Sequence, residues 1–151
     1  MKFLSTIAVA ALVAAGAMTV GFVGQGQAQD AAGAVKDRVA AMKGSGGAAA
    51  RINKAEDAKA TVDDAKTIQA NLAKLAGLWP AGSITPDSRA KPEIWQNMAD
   101  FNAKMAATQK EAATLVANAE KGDLAATKAQ VPQVINACNA CHNAYRGPAK
   151  Q

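Results

Sequence analysis

The sequence has a single histidine, His142, and only two cysteines, Cys138 and Cys141, among its 151 residues. A structural zinc site requires four ligands, usually from these residue types, so the chain could form one only if Asp or Glu contributed. The sequence also shows no pair of residues placed for acid–base catalysis and no activated nucleophile. We therefore predict that the protein is not an enzyme.

Aromatic residues are scarce as well, at 4% of the sequence. After residue 28 they are Trp79, Trp95, Phe101 and Tyr145. Alanine fills many positions at which a helical domain would carry Leu or Phe. Because protein interiors are close-packed, such a core is short of apolar volume. Either the helices pack unusually closely, or a bulky ligand completes the interior.

No stretch alternates β-branched and polar residues for long enough to indicate a strand. Instead, apolar residues recur at steps of three and four, which predicts helices at about residues 32–53, 55–78, 92–120 and 123–146. Pro92 suits a first helical turn, and Asp123 suits an N-cap. Short joins make neighbouring helices antiparallel, so we predict an all-α, antiparallel up-down four-helix bundle. The one long loop follows the second helix.

Two features oppose this helical pattern. Gly44, Gly46 and Gly47 each cost about 1 kcal/mol relative to alanine in the first helix, and Pro132 is expected to kink the fourth helix or to mark its restart. Glycines also allow a large group to approach the backbone. The stripe predicted for the first helix is Val35, Val39, Met42, Gly46 and Ala49.

Residues 1–28 are predicted to be a cleaved secretory signal peptide. Lys2 precedes an apolar run, and Gly26 and Ala28 are the small residues that favour cleavage before Gln29. A retained membrane anchor is the alternative, because the run is just long enough to span a bilayer. Residues 29–151 then suit one domain. The net charge is +5, but the arginines are scattered among acids, which argues against nucleic-acid binding.

The spacing of Cys138, Cys141 and His142 is the C-x-x-C-H pattern of covalent c-type haem attachment. On a helix the two cysteines share one face, so each can form a thioether to a vinyl group of one porphyrin, while the histidine can bind the iron. A thiol–disulfide oxidoreductase would place its cysteines after a strand, at a helix N-terminus. A disulfide closing so short a loop would stabilise little. We therefore predict one covalent haem c.

Four stretches extend this assignment to nearly all of residues 29–151. They are CNACHNAYR near the C-terminus, AKPEIWQNMADF opening the third helix, LAGLWPAGS closing the second and VKDRVAAMKGSGG in the first. They resemble the class II c-type cytochromes, which include cytochrome c prime and its low-spin relatives of the c-556 type. The resemblance implies a left-handed four-helix bundle with haem between the helices, usually a homodimer, in the bacterial periplasm.

By position, this resemblance implies that Cys138 and Cys141 hold the haem and that His142 is its proximal iron ligand. Arg146 matches a basic residue near the proximal face, although a cation at a helix C-terminus is also favoured by the helix dipole. Trp79 matches an aromatic position at the haem edge, and simple core packing is its alternative role.

Four further positions have more than one interpretation. Trp95, at the start of the third helix, either lies near the haem or only packs in the core. The charges at Lys36, Arg38 and Lys43 either pair with haem propionates or recruit an acidic redox partner, or they form a solvated face.

Whether Met42 binds the haem iron decides between two functions. In the resembled family its position carries a Leu or Phe in five-coordinate members and the iron-ligating methionine in low-spin members. With Met42 bound, the protein is a one-electron carrier between redox partner proteins, since His/Met ligation raises the reduction potential. If Met42 is a core residue, as we expect of Met98 and Met105, the protein is instead a five-coordinate haem protein that binds nitric oxide or carbon monoxide.

Overall fold

The computed structural model describes residues 30–86 and 88–149, so the predicted signal peptide lies outside the described residues. Five helices follow one another: α1 (Ala31–Lys54), α2 (Lys59–Ala76), α3 (Glu93–Gln96), α4 (Met98–Glu120) and α5 (Leu124–Tyr145). In this part of the chain the only strand-like feature is an isolated antiparallel bridge between Ala90 and Arg146. None of these helices combines the length and the apolar character that a membrane crossing requires.

Side-chain caps start two of the long helices. The Asp30 carboxylate accepts a hydrogen bond from the Ala32 amide at 2.7 Å, and the Asp123 carboxylate accepts one from the Ala126 amide at 2.8 Å. The predicted N-cap role of Asp123 is therefore confirmed. Gly122 has φ +75°, a backbone conformation that favours glycine, and this turns the chain sharply from α4 into α5.

The predicted third helix is divided in the structure. Asn97 has φ −126° and ψ 45°, which ends the single turn of α3 before α4 begins. The Glu93 carbonyl nevertheless accepts from the Asn97 amide, so the break is local. The glycines do not interrupt α1, and α5 continues through Pro132 with no restart.

The four long helices form the predicted bundle, in which α1 packs on α2, α2 on α4 and α4 on α5. The contact between α1 and α5 is sparse. Large buried side chains fill the centre, among them Ile52, Ile68, Phe101, Leu115 and Val131. We call the thinly packed line between α1 and α5 the seam.

The stripe predicted for α1 is only partly buried. Val35 and Ala49 lie in the interior, but Val39 is 39% exposed and Gly46 is exposed too. The buried face of α1 also includes residues outside the predicted stripe, namely Ala34, Arg38, Ala41, Ala48 and Ile52. The rest of the predicted stripe faces open space at the seam, which explains why it is apolar without being packed.

Candidate functional site

The C-x-x-C-H residues lie on the last turns of α5. Cys138, Cys141 and His142 are each half-buried, and both cysteines are free thiols. Helical spacing puts the two sulfur atoms on the same side of α5, with His142 beside them. The motif therefore faces the seam as a group.

Burial sets the protonation of this group. It raises the pKa of the Cys138 thiol, and burial together with the neighbouring Cys138 raises the pKa of Cys141 to about 11. Both thiols are thus protonated near neutral pH, unlike the thiolate of a thiol–disulfide oxidoreductase. The pKa of His142 is lowered mainly by burial and further by the positive charges of Arg146 and Arg89. The lower pKa favours the neutral imidazole, which is the form that binds metals.

Next to the motif lies a mostly apolar cavity of about 320 Å³. Residues of all four long helices line it, including Gly46 and Ala49 of α1, Leu72 of α2, Met105 of α4 and Cys138 of α5. The small side chains on α1 leave this space open. The volume lies within the range of small-molecule and cofactor sites.

A second cavity of about 340 Å³ adjoins the first and has a different character. Four basic residues line it, Arg38, Lys43, Arg89 and Arg146, and among the described residues no acidic one does. Met42, Cys141, His142 and Arg146 line both cavities. We call the two cavities together the seam groove; its first part is apolar and its second part is basic.

Arg38 is enclosed by other residues beside the groove. Arg38 is only 3% exposed, it donates to the Ser83 hydroxyl at 3.0 Å and to the Ser83 carbonyl at 2.6 Å, and its guanidinium carbon lies 4.2 Å from the Trp79 ring centroid. Desolvation lowers the pKa of Arg38. The predicted solvated face is therefore wrong for Arg38, because Ser83 and Trp79 enclose it.

The buried Nε1–H of Trp79 has no acceptor among the described residues. A buried donor without a partner is costly, so a ligand that carries an acceptor group is expected beside it. A haem suits this site: it has an apolar body for the first cavity, two carboxylates for the basic residues and vinyl groups for the cysteines. The residues present thus fit the predicted cofactor.

Comparison with known proteins agrees with this chemistry. The sequence model of the family described as Cytochrome C' matches residues 28–146. The chain belongs to this family. It therefore carries one covalently attached haem c and is a haem electron carrier or a gas-binding haem protein.

Individual relatives of this cytochrome include cytochromes c-556 and cytochromes c'. It is 38% identical over 122 residues to the cytochrome c-556 of Agrobacterium fabrum, a match that covers 77% of this chain and 82% of the relative. To the cytochrome c' of Alcaligenes xylosoxydans it is 41% identical over 88 residues, covering 55% and 69% of the two chains. The solved cytochrome c prime of Shewanella frigidimarina has a TM-score of 0.72 and 28% identity, and the match covers 80% of this chain and 98% of that one.

Trp95 has a packing role in this cytochrome. Its indole N–H donates to the carbonyls of Trp79 and Pro80 at 3.3 and 3.1 Å, and its ring packs against the core. Trp95 lines neither cavity. It therefore fixes the start of the long loop, and with it the position of Trp79.

The long loop is tied to the end of α5 by contacts that sequence reasoning missed. The Lys91 amide donates to the Tyr145 carbonyl at 3.0 Å, and the Gly147 amide donates to the Arg89 carbonyl at 2.7 Å. The Arg89 side chain also donates to the carbonyls of Gly147 and Pro148, and the Lys91 ammonium donates to the Ala144 carbonyl at 3.0 Å. We call these contacts the clasp. In the sequence, only the basic residues Arg89 and Lys91, just before Pro92, indicate the clasp.

The zinc alternative finds no support in this site. Within residues 30–86 and 88–149, no three side chains of His, Cys, Asp or Glu come together as metal ligands would. The donor set at the groove, two thiols and one imidazole beside a thioether, instead suits a covalently attached haem.

Proposed function

We propose that this cytochrome is a one-electron carrier in which Cys138 and Cys141 hold the haem, His142 is the proximal iron ligand and Met42 is the sixth ligand. One observation carries the proposal. Met42 on α1 and His142 on α5 are two of the four described residues that line both cavities of the seam groove. An imidazole and a thioether thus border the same space from two different helices.

The other methionines are poorer candidates for the sixth ligand. Met105 lines only the first cavity, and Met98 lines neither. The match to a cytochrome c-556 also extends over more of the chain than the match to a cytochrome c'. The resemblance implies a methionine ligand for the low-spin c-556 type. The cavity linings and the longer match to a cytochrome c-556 therefore both favour Met42 as the sixth ligand.

The bound haem would supply a reversible one-electron change at its iron. The chain's part would be to hold His142 and Met42 on separate helices, so that neither ligand moves much when the charge of the iron changes. The apolar part of the groove keeps water from the ring. Arg38 and the Trp79 N–H supply donors for haem carboxylates, and Arg146 remains beside His142 at the junction of the two cavities.

The second candidate is a gas-binding protein, with Met42 as an uncoordinated cover of the sixth position. It is favoured by the solved relatives, which include a nitric oxide complex of a mutant of cytochrome c prime from Alcaligenes xylosoxidans, 29% identical with a TM-score of 0.71. Another relative, 27% identical with a TM-score of 0.70, is a cytochrome c' with ligand-controlled dimer dissociation. For both candidate functions, we also propose that the protein forms a homodimer.

Visible absorption spectra of the purified protein separate the two candidates. Ferric and ferrous spectra are recorded with and without carbon monoxide for the wild type, for Met42→Ala and for Met98→Ala, the control outside the groove. We expect a low-spin wild type with a methionine-to-iron charge-transfer band, indifferent to the gas, and a Met42→Ala variant that binds it. A high-spin wild type that binds carbon monoxide at once would contradict Met42 ligation.

We also propose that residues 1–28 are removed and that residues 29–151 work in the periplasm, with no membrane attachment. The C-x-x-C-H motif and the apolar N-terminal run together support export, since the run ends in the small residues that favour cleavage. Intact mass of protein from a periplasmic extract should correspond to a chain that starts at Gln29 and carries one haem. A mass that includes residues 1–28 would favour the membrane anchor.

A further inference from the structure

The basic part of the seam groove has more positive charge than a haem can neutralise. Four cations line it, Arg38, Lys43, Arg89 and Arg146. A haem has two carboxylates, so two positive charges remain even if both carboxylates lie here. Within residues 30–86 and 88–149, none of these four residues takes part in an ion pair.

Four acidic residues elsewhere in the described chain pair with other bases. Asp64 pairs with Arg51, Glu120 with Lys66, and Asp100 with Lys104. Asp37, the acidic residue of α1 next to Arg38, pairs with Lys74 of α2 at 3.0 Å. Among the described residues, positive charge is concentrated at this end of the groove, where four cations line one cavity.

The mouth of the basic part also has an apolar contact. Val39 lines this cavity and is 39% exposed, one of three large hydrophobic side chains with such exposure in the described chain. Lys43 lies one turn further along α1 and is exposed, as are Arg89 and Arg146 on the other side. An exposed apolar residue among cations is a common composition for a protein interface, with an apolar centre and a charged rim.

We propose that this surface, formed by Val39, Lys43, Arg89 and Arg146, is where an acidic redox partner protein docks. The inference rests on the proposed electron-carrier function and names the partner of that same site. Charge complementarity supports an acidic partner, because opposite charges steer encounter and fix the orientation of the complex. One electron then passes from the partner's reduced centre to the ferric haem, and no bond forms or breaks.

Lys43 is the residue to change, because no described hydrogen bond or ion pair uses its side chain, whereas Arg89 belongs to the clasp. The matched control is Lys110→Glu, which changes the net charge equally at an exposed position of α4 that lines neither cavity. The probe is an acidic plant-type [2Fe–2S] ferredoxin. At low ionic strength, we expect Lys43→Glu to slow reduction by this ferredoxin about tenfold, and Lys110→Glu to slow it little.

Binding is measured separately with both proteins oxidised, so that no electron moves. Calorimetry should show Lys43→Glu weakening the complex and Lys110→Glu leaving it nearly unchanged. Equal effects of the two variants would overturn the proposal, because only net charge would then matter. The proposal would also be overturned if Lys43→Glu slowed the reaction with hexacyanoferrate(III) but not the reaction with ferredoxin. The groove would then attract only small anions and would not dock an acidic protein.

The absorption spectrum of each variant keeps this test separate from the proposed function. A five-coordinate spectrum in the wild type would contradict Met42 ligation, yet the comparison of Lys43→Glu with Lys110→Glu would still decide whether the basic surface docks an acidic protein. Unchanged far-ultraviolet circular dichroism in both variants would show that neither has unfolded.

Discussion

Tyr145 joins the end of α5 to α4 through a short hydrogen bond. Its hydroxyl donates to the Asp100 carboxylate at 2.6 Å, and its ring packs edge-on against Phe101 at 5.4 Å between centroids. This bond raises the pKa of Tyr145 to about 12, and it lowers the pKa of Asp100, with Lys104 contributing. Both shifts mean that the folded state favours the neutral phenol beside the charged carboxylate.

Tyr145→Phe should therefore destabilise the protein in a way that depends on pH. The lowered pKa of Asp100 means that its contribution is complete above the unfolded carboxyl pKa, about 3.9, and is lost as the pH falls through the folded value. The raised pKa of Tyr145 means that its contribution is complete below the unfolded tyrosine pKa, about 10, and is lost as the pH rises through about 12. The difference in Tm between the wild type and Tyr145→Phe should be largest near neutral pH.

Thermal unfolding between pH 3 and pH 10 tests this, with Asp100→Asn and the double variant completing the cycle. In the Asp100→Asn background, the effect of Tyr145→Phe should shrink and lose its acid dependence. A Tm difference that stays constant from pH 3 to neutral pH would show that only packing was lost.

The sequence alone could indicate the candidate haem-binding residues, but it could not indicate their surroundings. The spacing of Cys138, Cys141 and His142 follows the shape of their ligand, so it is visible in a stretch of five residues. The burial of Arg38 depends on Ser83, which lies 45 residues away and shows no pattern of its own. A sequence pattern indicates a charged residue, but only tertiary contacts decide whether water reaches it.

Along α1, two adjacent glycines have different surroundings. Gly46 lines the first cavity and a Cβ there would meet no atom within 4 Å, whereas a Cβ on Gly47 would lie 3.5 Å from the Arg51 guanidinium, an ordinary contact. The groove explains why residue 46 is a glycine. Nothing in the structure explains why residue 47 is one.

Gly47→Ala should accordingly stabilise the cytochrome by about 1 kcal/mol, the usual gain for alanine within a helix. Gly46→Ala has the same helix gain, but its methyl group enters the groove in which we propose that the haem binds, so we expect a smaller net gain in stability and a shifted Soret band. Denaturant unfolding and absorption spectra of the two variants check this. Identical stability and spectra would mean that Gly46 does not limit the haem's space.

Helix positions were predicted well because periodicity reports them directly. The break at Asn97 was missed, since the apolar spacing continues through it from Ile94 to Met98 and Phe101. The α1 stripe was partly misassigned for another reason. Its residues face the groove, and a sequence pattern does not distinguish a face packed on protein from a face that borders a cofactor cavity.

For the whole molecule, the groove means that protein atoms alone do not fill the bundle. We predict that a Cys138→Ala, Cys141→Ala protein made without haem is loosely packed. It should keep far-ultraviolet circular dichroism, lose much of its near-ultraviolet signal and bind a hydrophobic dye, because the helices persist while the packing along the seam is lost. The haem-containing wild type is the reference. Sharp cooperative unfolding with a native near-ultraviolet spectrum would contradict the prediction.

The bundle architecture itself could be predicted, because short joins between helices restrict topology. The uneven packing of its four sides could not, since α1 and α5 lie far apart in the chain and their contact depends on every helix between them. The scarcity of aromatic side chains did indicate missing volume. It did not show that the missing volume lies along one seam.

The sparse contact between α1 and α5 has a consequence for how the haem arrives. Three sides of the bundle are closed by helix packing, so the fourth is the first to open when the protein fluctuates. Opening there separates the α1–α2 pair from the α4–α5 pair about their shared α2–α4 contact, and no helix has to unwind. A flat molecule such as a haem can then enter edge-on between α1 and α5, next to the two thiols. We therefore expect the haem to enter at the weakly packed side of the fold. Thioether bonds to the two cysteines would then prevent it from leaving.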